Sequence, residues 1–343
     1  MFPAPSLWWD DGMDLLILGG TQWLGRTLAG EAVARGHRVV CLARGEAGAV
    51  AEGTELVRAD RSEPGAYAEV AGREWDAAID VTRQPGHARA AAAALVGVVG
   101  RMAFISSCNV YAAQDEPGAV EGATLLPPLE SDESTPETYG EAKSAIERAY
   151  REAFGERSLT IRPGLIAGPG DASGRSGYWV ARAARAARDG GPVLAPDVLE
   201  AAAQAIHVDD LVRFTLDSVE RGATGAFNAV GDRGTFGGWL ETANAVAGYD
   251  GEVVAARPEW LAEQGVAEWS GPESMPLWIR DPEWGGFLDR SNAAAKLAGL
   301  TLRPLGQLLD ETLAWERGQG LDRERGAGLS AERERELLGL LRG

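Results

Sequence analysis

Short apolar runs that end in glycine or an acid alternate, along the first half of the chain, with longer stretches whose apolar residues recur at helical spacing. Asp14-Leu15-Leu16-Ile17-Leu18 runs into Gly19-Gly20, the pattern of a buried strand entering a glycine turn. Leu24, Leu28, Ala32 and Val33 then share one face of a predicted helix over 24–35, which Gly36 ends. A second strand is predicted over 38–42, closing a βαβ unit. Further strands are predicted at Leu56-Val57, leading to Asp60, and over 77–81, 102–106 and 159–162. Ala-rich 87–99 and amphipathic 137–154 are the helices between them. Strands regularly separated by helices predict an α/β fold with a doubly wound parallel sheet, whose ligands lie at the carboxyl ends of the strands.

Beyond Gly164 the pattern is less regular. Residues 205–208 and 226–230 are expected as short strands that return to the sheet. The acidic, Pro- and Gly-rich stretch 112–137 is expected as a surface loop over the site. Residues 239–284 hold five of the 11 tryptophans and are expected to build a smaller lobe, most of the rings packing its core. Residues 317–342 are expected as a solvated C-terminal helix. The resulting division is a loosely packed extension over 1–12, which includes Trp8 and Trp9, a first domain over 13–165, and a lobe over 166–343 with the segments near 205–232 returning to the sheet.

Charge narrows the partners. Lys and Arg number 33 against 51 Asp and Glu, for a formal net charge of -18. Such a surface repels nucleic acid and anionic membranes. No apolar run approaches the roughly 20 residues of a membrane span. Two cysteines, Cys41 and Cys108, make neither a disulfide framework nor a four-ligand zinc site, and a cytoplasmic location is expected. His37, His87 and His207 are scattered without metal-ligand spacing, so no metal is expected and structural roles are. Only two basic residues, Lys143 and Lys296, are lysines. In a chain that otherwise uses arginine, a retained lysine is a candidate for ammonium chemistry.

Three clusters carry chemistry. Gly19-Gly20-Thr21-Gln22-Trp23-Leu24-Gly25 joins strand to helix, where a pyrophosphate can approach the backbone at a helix N-terminus. Tyr139 and Lys143 stand four residues apart on a predicted helix, so phenol and ammonium meet one site. A free phenol titrates near about 10. A neighbouring cation lowers that value and makes the phenol a usable acid/base. Ser106 and Ser107 end a strand at the edge of the same site, where a hydroxyl can orient a substrate carbonyl.

Together these clusters resemble the short-chain dehydrogenase/reductase superfamily, and in it the extended branch, the NAD-dependent epimerase/dehydratase family. Ile161-Arg162-Pro163-Gly164, Gly168-Pro169-Gly170, Ile206-His207-Val208-Asp209-Asp210-Leu211 and Phe227-Asn228-Ala229-Val230-Gly231 resemble later family segments in order and spacing. The resemblance covers nearly the whole chain from Met13. It implies a Rossmann-type sheet, Tyr139 as acid/base, Lys143 on the nicotinamide ribose, and Ser107 as the substrate-orienting hydroxyl with Ser106 as the fallback. It also implies Gly19, Gly20 and Gly25 around the pyrophosphate, Asp60 with Arg61 at the adenine, Val81 and Thr82 along the middle of the cofactor, and Pro163 and Gly164 beside the nicotinamide. Gln22 stands where a glycine is usual, as in a divergent subgroup that includes chloroplast stem-loop-binding proteins.

The function expected is therefore hydride transfer at a carbonyl or alcohol carbon of a small molecule. Within that class, net oxidation or reduction competes with epimerase or dehydratase chemistry on a sugar nucleotide or similar compound. A non-catalytic protein that senses dinucleotide or binds RNA is the alternative of another class, opposed by the Tyr139, Lys143 and Ser107 set and by the net charge. No nucleic acid or membrane partner is expected, and a homodimer is the assembly considered. The position after the second strand carries Ala43 and then Arg44 rather than an acid. A carboxylate there would accept from the ribose hydroxyls of NAD, whereas a guanidinium suits a 2′-phosphate, so NADP is preferred over NAD.

Overall fold

The computed structural model describes residues 12–342. The expectations for Trp8, Trp9 and the rest of 1–11 lie outside the described residues. The first half of the chain runs β1 (Asp14–Leu18), α1 (Trp23–Ala34), β2 (Arg38–Ala43), β3 (Glu55–Arg58), α2 (Ala68–Ala71), β4 (Trp75–Asp80), α3 (Pro85–Leu95), β5 (Val99–Ile105), α4 (Tyr139–Phe154) and β6 (Ser158–Pro163). There follow β7 (Leu165–Ala167), α5 (Tyr178–Asp189), β8 (Val193–Pro196), β9 (Ala202–Ala203), β10 (Ala205–His207), α6 (Val208–Glu220), β11 (Gly225–Ala229) and α7 (Phe236–Ala247). Seven strands form one parallel sheet in the order β11-β6-β5-β4-β1-β2-β3. This is the Rossmann-type doubly wound arrangement.

The continuous apolar runs follow from burial on both faces. Leu15 and Ile17 of β1 pack with α1 and α6 residues such as Leu28 and Leu211. Leu16 and Leu18, pointing the other way, pack with α3 and α4 residues such as Leu95 and Ile146. A separate core built from α5, α7 and helix Leu305–Gln319 includes Trp179, Trp239 and Trp278. Of the five tryptophans in 239–284, Trp239 and Trp278 are buried there, Trp260 and Trp269 pack against it, and Trp284 is exposed.

Four element boundaries differ from the sequence pattern. The Ala-rich helix stops at Leu95, and β5 begins at Val99. Its Gly100 lies so close to the Asp76 carbonyl of β4 that a Cβ would collide, and this tight pairing takes the residues that helix propensity alone would have kept. Strand β11 joins the sheet as expected, but β10 pairs only with β7, and Val208 already opens α6. His207 forces that switch, its Nδ1 accepting from the Asp209 amide at 3.0 Å to cap the helix. The expected C-terminal helix is broken at Gly320, whose φ is 94°. Its last part, Ala331–Arg342, buries Glu334, Leu337 and Leu338 on the lobe instead of standing in solvent.

Candidate active site

Each chemical cluster sits where a strand stops. At the end of β1, Gly19 takes a φ of 107°, which a side chain rarely adopts. A Cβ on Gly20 would strike the Cys41 sulfur, and one on Gly25 would strike the Gly19 carbonyl, so α1 is drawn hard against the turn. Gln22 stands at the helix N-cap without a capping side-chain bond, and no acid occupies the first turn. The leading amides of α1 are thus left for an external anion. Gly19, Thr21 and Gln22 line a cleft of about 770 Å³ that continues over Arg44, Asp60, Arg61, Val81, Thr82 and the Asp132–Ser134 part of the long loop. Its size, its position at four carboxyl strand ends and its uncapped helix fit a dinucleotide.

Other residues expected at the cofactor have their polar atoms engaged by the protein. Trp23 turns its indole away to donate to the Pro169 carbonyl at 2.9 Å, and Leu24 packs against the core beneath the sheet. The Arg61 guanidinium is bidentate on Asp80 at 2.8 and 2.6 Å. Burial alone would raise the Asp80 pKa, but the charge and hydrogen bonds of Arg61 outweigh it and hold it below the usual carboxylate range. The Ser106 hydroxyl donates to Glu147 at 2.5 Å. Glu147 in turn is bidentate with Arg162 at 2.9 and 2.6 Å. Pro163 ends β6 in register with Ala229, and Gly164 packs against Val230.

Tyr139 is the first residue of α4, and Lys143 follows one turn later on the same face. The ammonium lies 5.9 Å from the centre of the Tyr139 ring and 4.6 Å from that of Phe104. It donates to the Thr82 and Ile105 carbonyls at 2.8 and 2.7 Å, which fixes it under the ends of β4 and β5. Burial pulls its pKa down to about 7. Burial pushes the Tyr139 phenol up, and a hydrogen bond with Ser107 works against that shift. Ser107 caps the turn Cys108–Val110, accepting from the Asn109 amide at 3.2 Å. The phenol, the Ser107 hydroxyl and Lys143 therefore meet at one place beside the cleft.

Two further cations, Arg83 and Arg175, act on the Tyr139 phenol and favour its phenolate. Neither stood out in a chain where arginine is the ordinary base. The histidines bond to groups of the protein itself. His37 Nδ1 accepts from the Met13 amide at 3.1 Å, and His87 bonds the Ser62 and Thr82 hydroxyls. His207, Asp209 and Glu311 converge, but the Arg303 guanidinium already lies against all three.

Comparison with known proteins agrees with this geometry. Residues 86–229 match the NAD dependent epimerase/dehydratase family. The chain is similar to that family over this stretch. No curated protein sequence matches it. Among solved structures, it is similar to a candidate epimerase from Burkholderia cenocepacia J2315, at 20% identity and TM-score 0.68, over 89% of this chain and 98% of the other. It is also similar to UDP-N-acetylglucosamine 4-epimerase from Methanobrevibacter ruminantium M1, solved in complex with UDP-N-acetylmuramic acid, at 16% identity and TM-score 0.65, over 90% and 99%. UDP-glucuronic acid 4-epimerase from Bacillus cereus, solved in complex with NAD, shares 13% identity at TM-score 0.62, over 89% and 99%. The family match spans α3 through β11 and so contains Ser107, Tyr139 and Lys143. No helix among the described residues is long and apolar enough to cross a membrane.

Proposed function

We propose that this chain is an NAD(P)-dependent oxidoreductase of the extended short-chain dehydrogenase/reductase type, acting at a carbonyl or alcohol carbon of a small molecule. The observation that carries the reading is the convergence of the Tyr139 phenol, the Ser107 hydroxyl and Lys143 beside a dinucleotide-sized cleft. A nicotinamide bound in the cleft supplies or accepts hydride. Tyr139 moves the matching proton at the substrate oxygen, and Ser107 holds that oxygen by a second hydrogen bond. Lys143, anchored on the Thr82 and Ile105 carbonyls, supports the ribose side of the cleft. Asp60, Val81, Thr82, Gly19 and Thr21 line the cleft; on this reading the first three would serve the adenosine and middle sections of the cofactor and the last two its pyrophosphate.

The sugar-nucleotide epimerases among the structural neighbours favour the related reading in which oxidation and re-reduction occur on one substrate. One experiment separates the two and tests both. Candidate alcohols, ketones and sugar nucleotides are incubated with cofactor while nicotinamide absorbance and product stereochemistry are followed. A net absorbance change means a dehydrogenase or reductase, and an altered stereocentre without one means an epimerase. Absence of both in wild type across the panel, with cofactor bound, would count against catalysis.

NADP is the cofactor we favour. Arg44 follows directly on β2 at the mouth of the cleft, 60% exposed, with Glu46 at 3.3 Å and Asp60 at 3.8 Å. These loose pairs leave the guanidinium free to turn onto a 2′-phosphate, which a carboxylate at Ala43 would have repelled. Titration of NADPH and NADH should show tighter NADPH binding in wild type and near-equal binding in Arg44→Ala; equal affinities in wild type would reverse the choice. A cytoplasmic location fits the unpaired, buried Cys41 and Cys108, and a homodimer is the assembly to look for by light scattering.

A further inference from the structure

The segment after β7 runs from a contact with Trp23, beside the glycine turn, to a contact with Trp269 of the tryptophan-rich lobe. At its start Pro169 receives the Trp23 indole hydrogen bond at 2.9 Å. Gly170, with φ 94°, passes so near that ring that a Cβ would clash with it. The buried Asp171 then fastens the loop, accepting from the Ser173 amide at 2.9 Å, the Ser176 amide at 3.1 Å and the Ser176 hydroxyl at 2.7 Å. Arg175 projects from this braced loop. Its guanidinium stacks 4.9 Å over the Trp269 ring, and its Nε donates to the Ser173 hydroxyl at 3.1 Å.

The two terminal nitrogens of Arg175 have no hydrogen-bond or ion-pair partner among the described residues. In a chain with 51 acids to 33 bases, that is a conspicuous vacancy of charge. Arg35, Arg162, Arg182 and Arg303 all sit on carboxylates. The acid nearest in sequence, Asp171, spends both oxygens on serines. Arg175 is half-buried, so solvent satisfies it incompletely, and stacking on Trp269 leaves the edge of its fork as the open side. It belongs to the lobe side of Tyr139 and does not line the dinucleotide cleft. Its charge nonetheless reaches the phenol.

We propose that Arg175 is the substrate-recognition cation of this site, pairing through its free fork with a carboxylate or phosphate that the substrate carries close to the carbon served by Tyr139. The inference rests on the acid/base reading of Tyr139 and narrows its substrates to anionic hydroxy or oxo compounds. A planar fork binds such groups bidentately, whereas an ammonium at the same place supplies a point charge.

The test uses the full chain saturated with its dinucleotide. Malonate, inorganic phosphate and uncharged glycerol are titrated calorimetrically into wild type, Arg175→Leu and Arg175→Lys. Wild type should bind malonate or phosphate and not glycerol; whichever anion binds identifies the group. The affinity should fall by about tenfold or more in Arg175→Leu and recover in part in Arg175→Lys, as expected when a charged hydrogen bond is lost. Dinucleotide affinity should stay within about twofold in both, since Arg175 lies outside the cleft. If Arg175→Leu melts early, Arg175→Gln replaces it. Dinucleotide binding without anion binding in wild type, or anion binding that the neutral variants retain, overturns the inference alone. Failure of wild type to bind either dinucleotide overturns the underlying reading first.

Discussion

A buried lysine with two carbonyl acceptors is an unusual residue, and its titration gives a direct check on the site. Lys143 has its pKa drawn from 10.5 to about 7 by burial. Between those values the unfolded chain holds a proton that the folded chain lacks, so stability must rise with pH across that window. The rise should be larger in wild type than in Lys143→Met, measured as denaturant midpoints at pH values from about 7 to 10. Parallel curves would show that the ammonium is not desolvated as described. Tyr139→Phe removes only the proton-transferring oxygen and should lower turnover by on the order of 100-fold or more while the dinucleotide still binds; retained turnover would end its assignment as acid/base. Ser107→Ala should reduce turnover with little loss of stability. Tyr139 and Lys143 were legible in the sequence because an i, i+4 pair has one geometry on a helix. Arg83 and Arg175 were not, because sequence shows an arginine without showing what faces it.

Helix α4 joins chemistry to structure along successive turns. Tyr139 and Lys143 face the site, and Glu147, one turn further, ties Ser106 of the neighbouring strand end to Arg162 of β6. A second buried set, Arg61-Asp80-Tyr150, holds the end of β4, where Asp80 also accepts from the Thr82 amide at 2.9 Å. Asp80→Ala would strand the Arg61 guanidinium, which is 7% exposed. It should cost about 3–5 kcal/mol in chemical denaturation and disturb the Thr82 turn under Lys143. Gly25→Ala drives a methyl into the Gly19 carbonyl, so it should weaken dinucleotide binding more than a helix-favouring substitution would suggest; unchanged binding would mean the turn can yield. The periodicity of 3.6 or 2 exposed these elements readily. It failed at Gly100, at His207 and at Gly320, where backbone contact, a side-chain cap and a positive φ set the boundary.

Across the whole molecule, the lobe is closed by its last helix. Glu334, 2% exposed, pairs with Arg182 and Arg185 of α5 and accepts from the Leu194 amide of β8 at 2.9 Å. Glu334→Ala should therefore lower stability by about 3 kcal/mol, seen as a lower melting temperature; an unchanged value would make the helix ornamental. The charged composition of 317–342 pointed to solvent because single-sequence patterning weighs Glu334 as a surface acid, although its partners lie about 150 positions away. The near absence of lysine gives the protein one further property. Lys296 is 44% exposed beside Asp232, whereas Lys143 is 3% exposed. An amine-selective dye added to the native protein should mark only the first of the two side chains. The second should react when the sheet comes apart, so counting labels turns the buried lysine into a built-in gauge of unfolding.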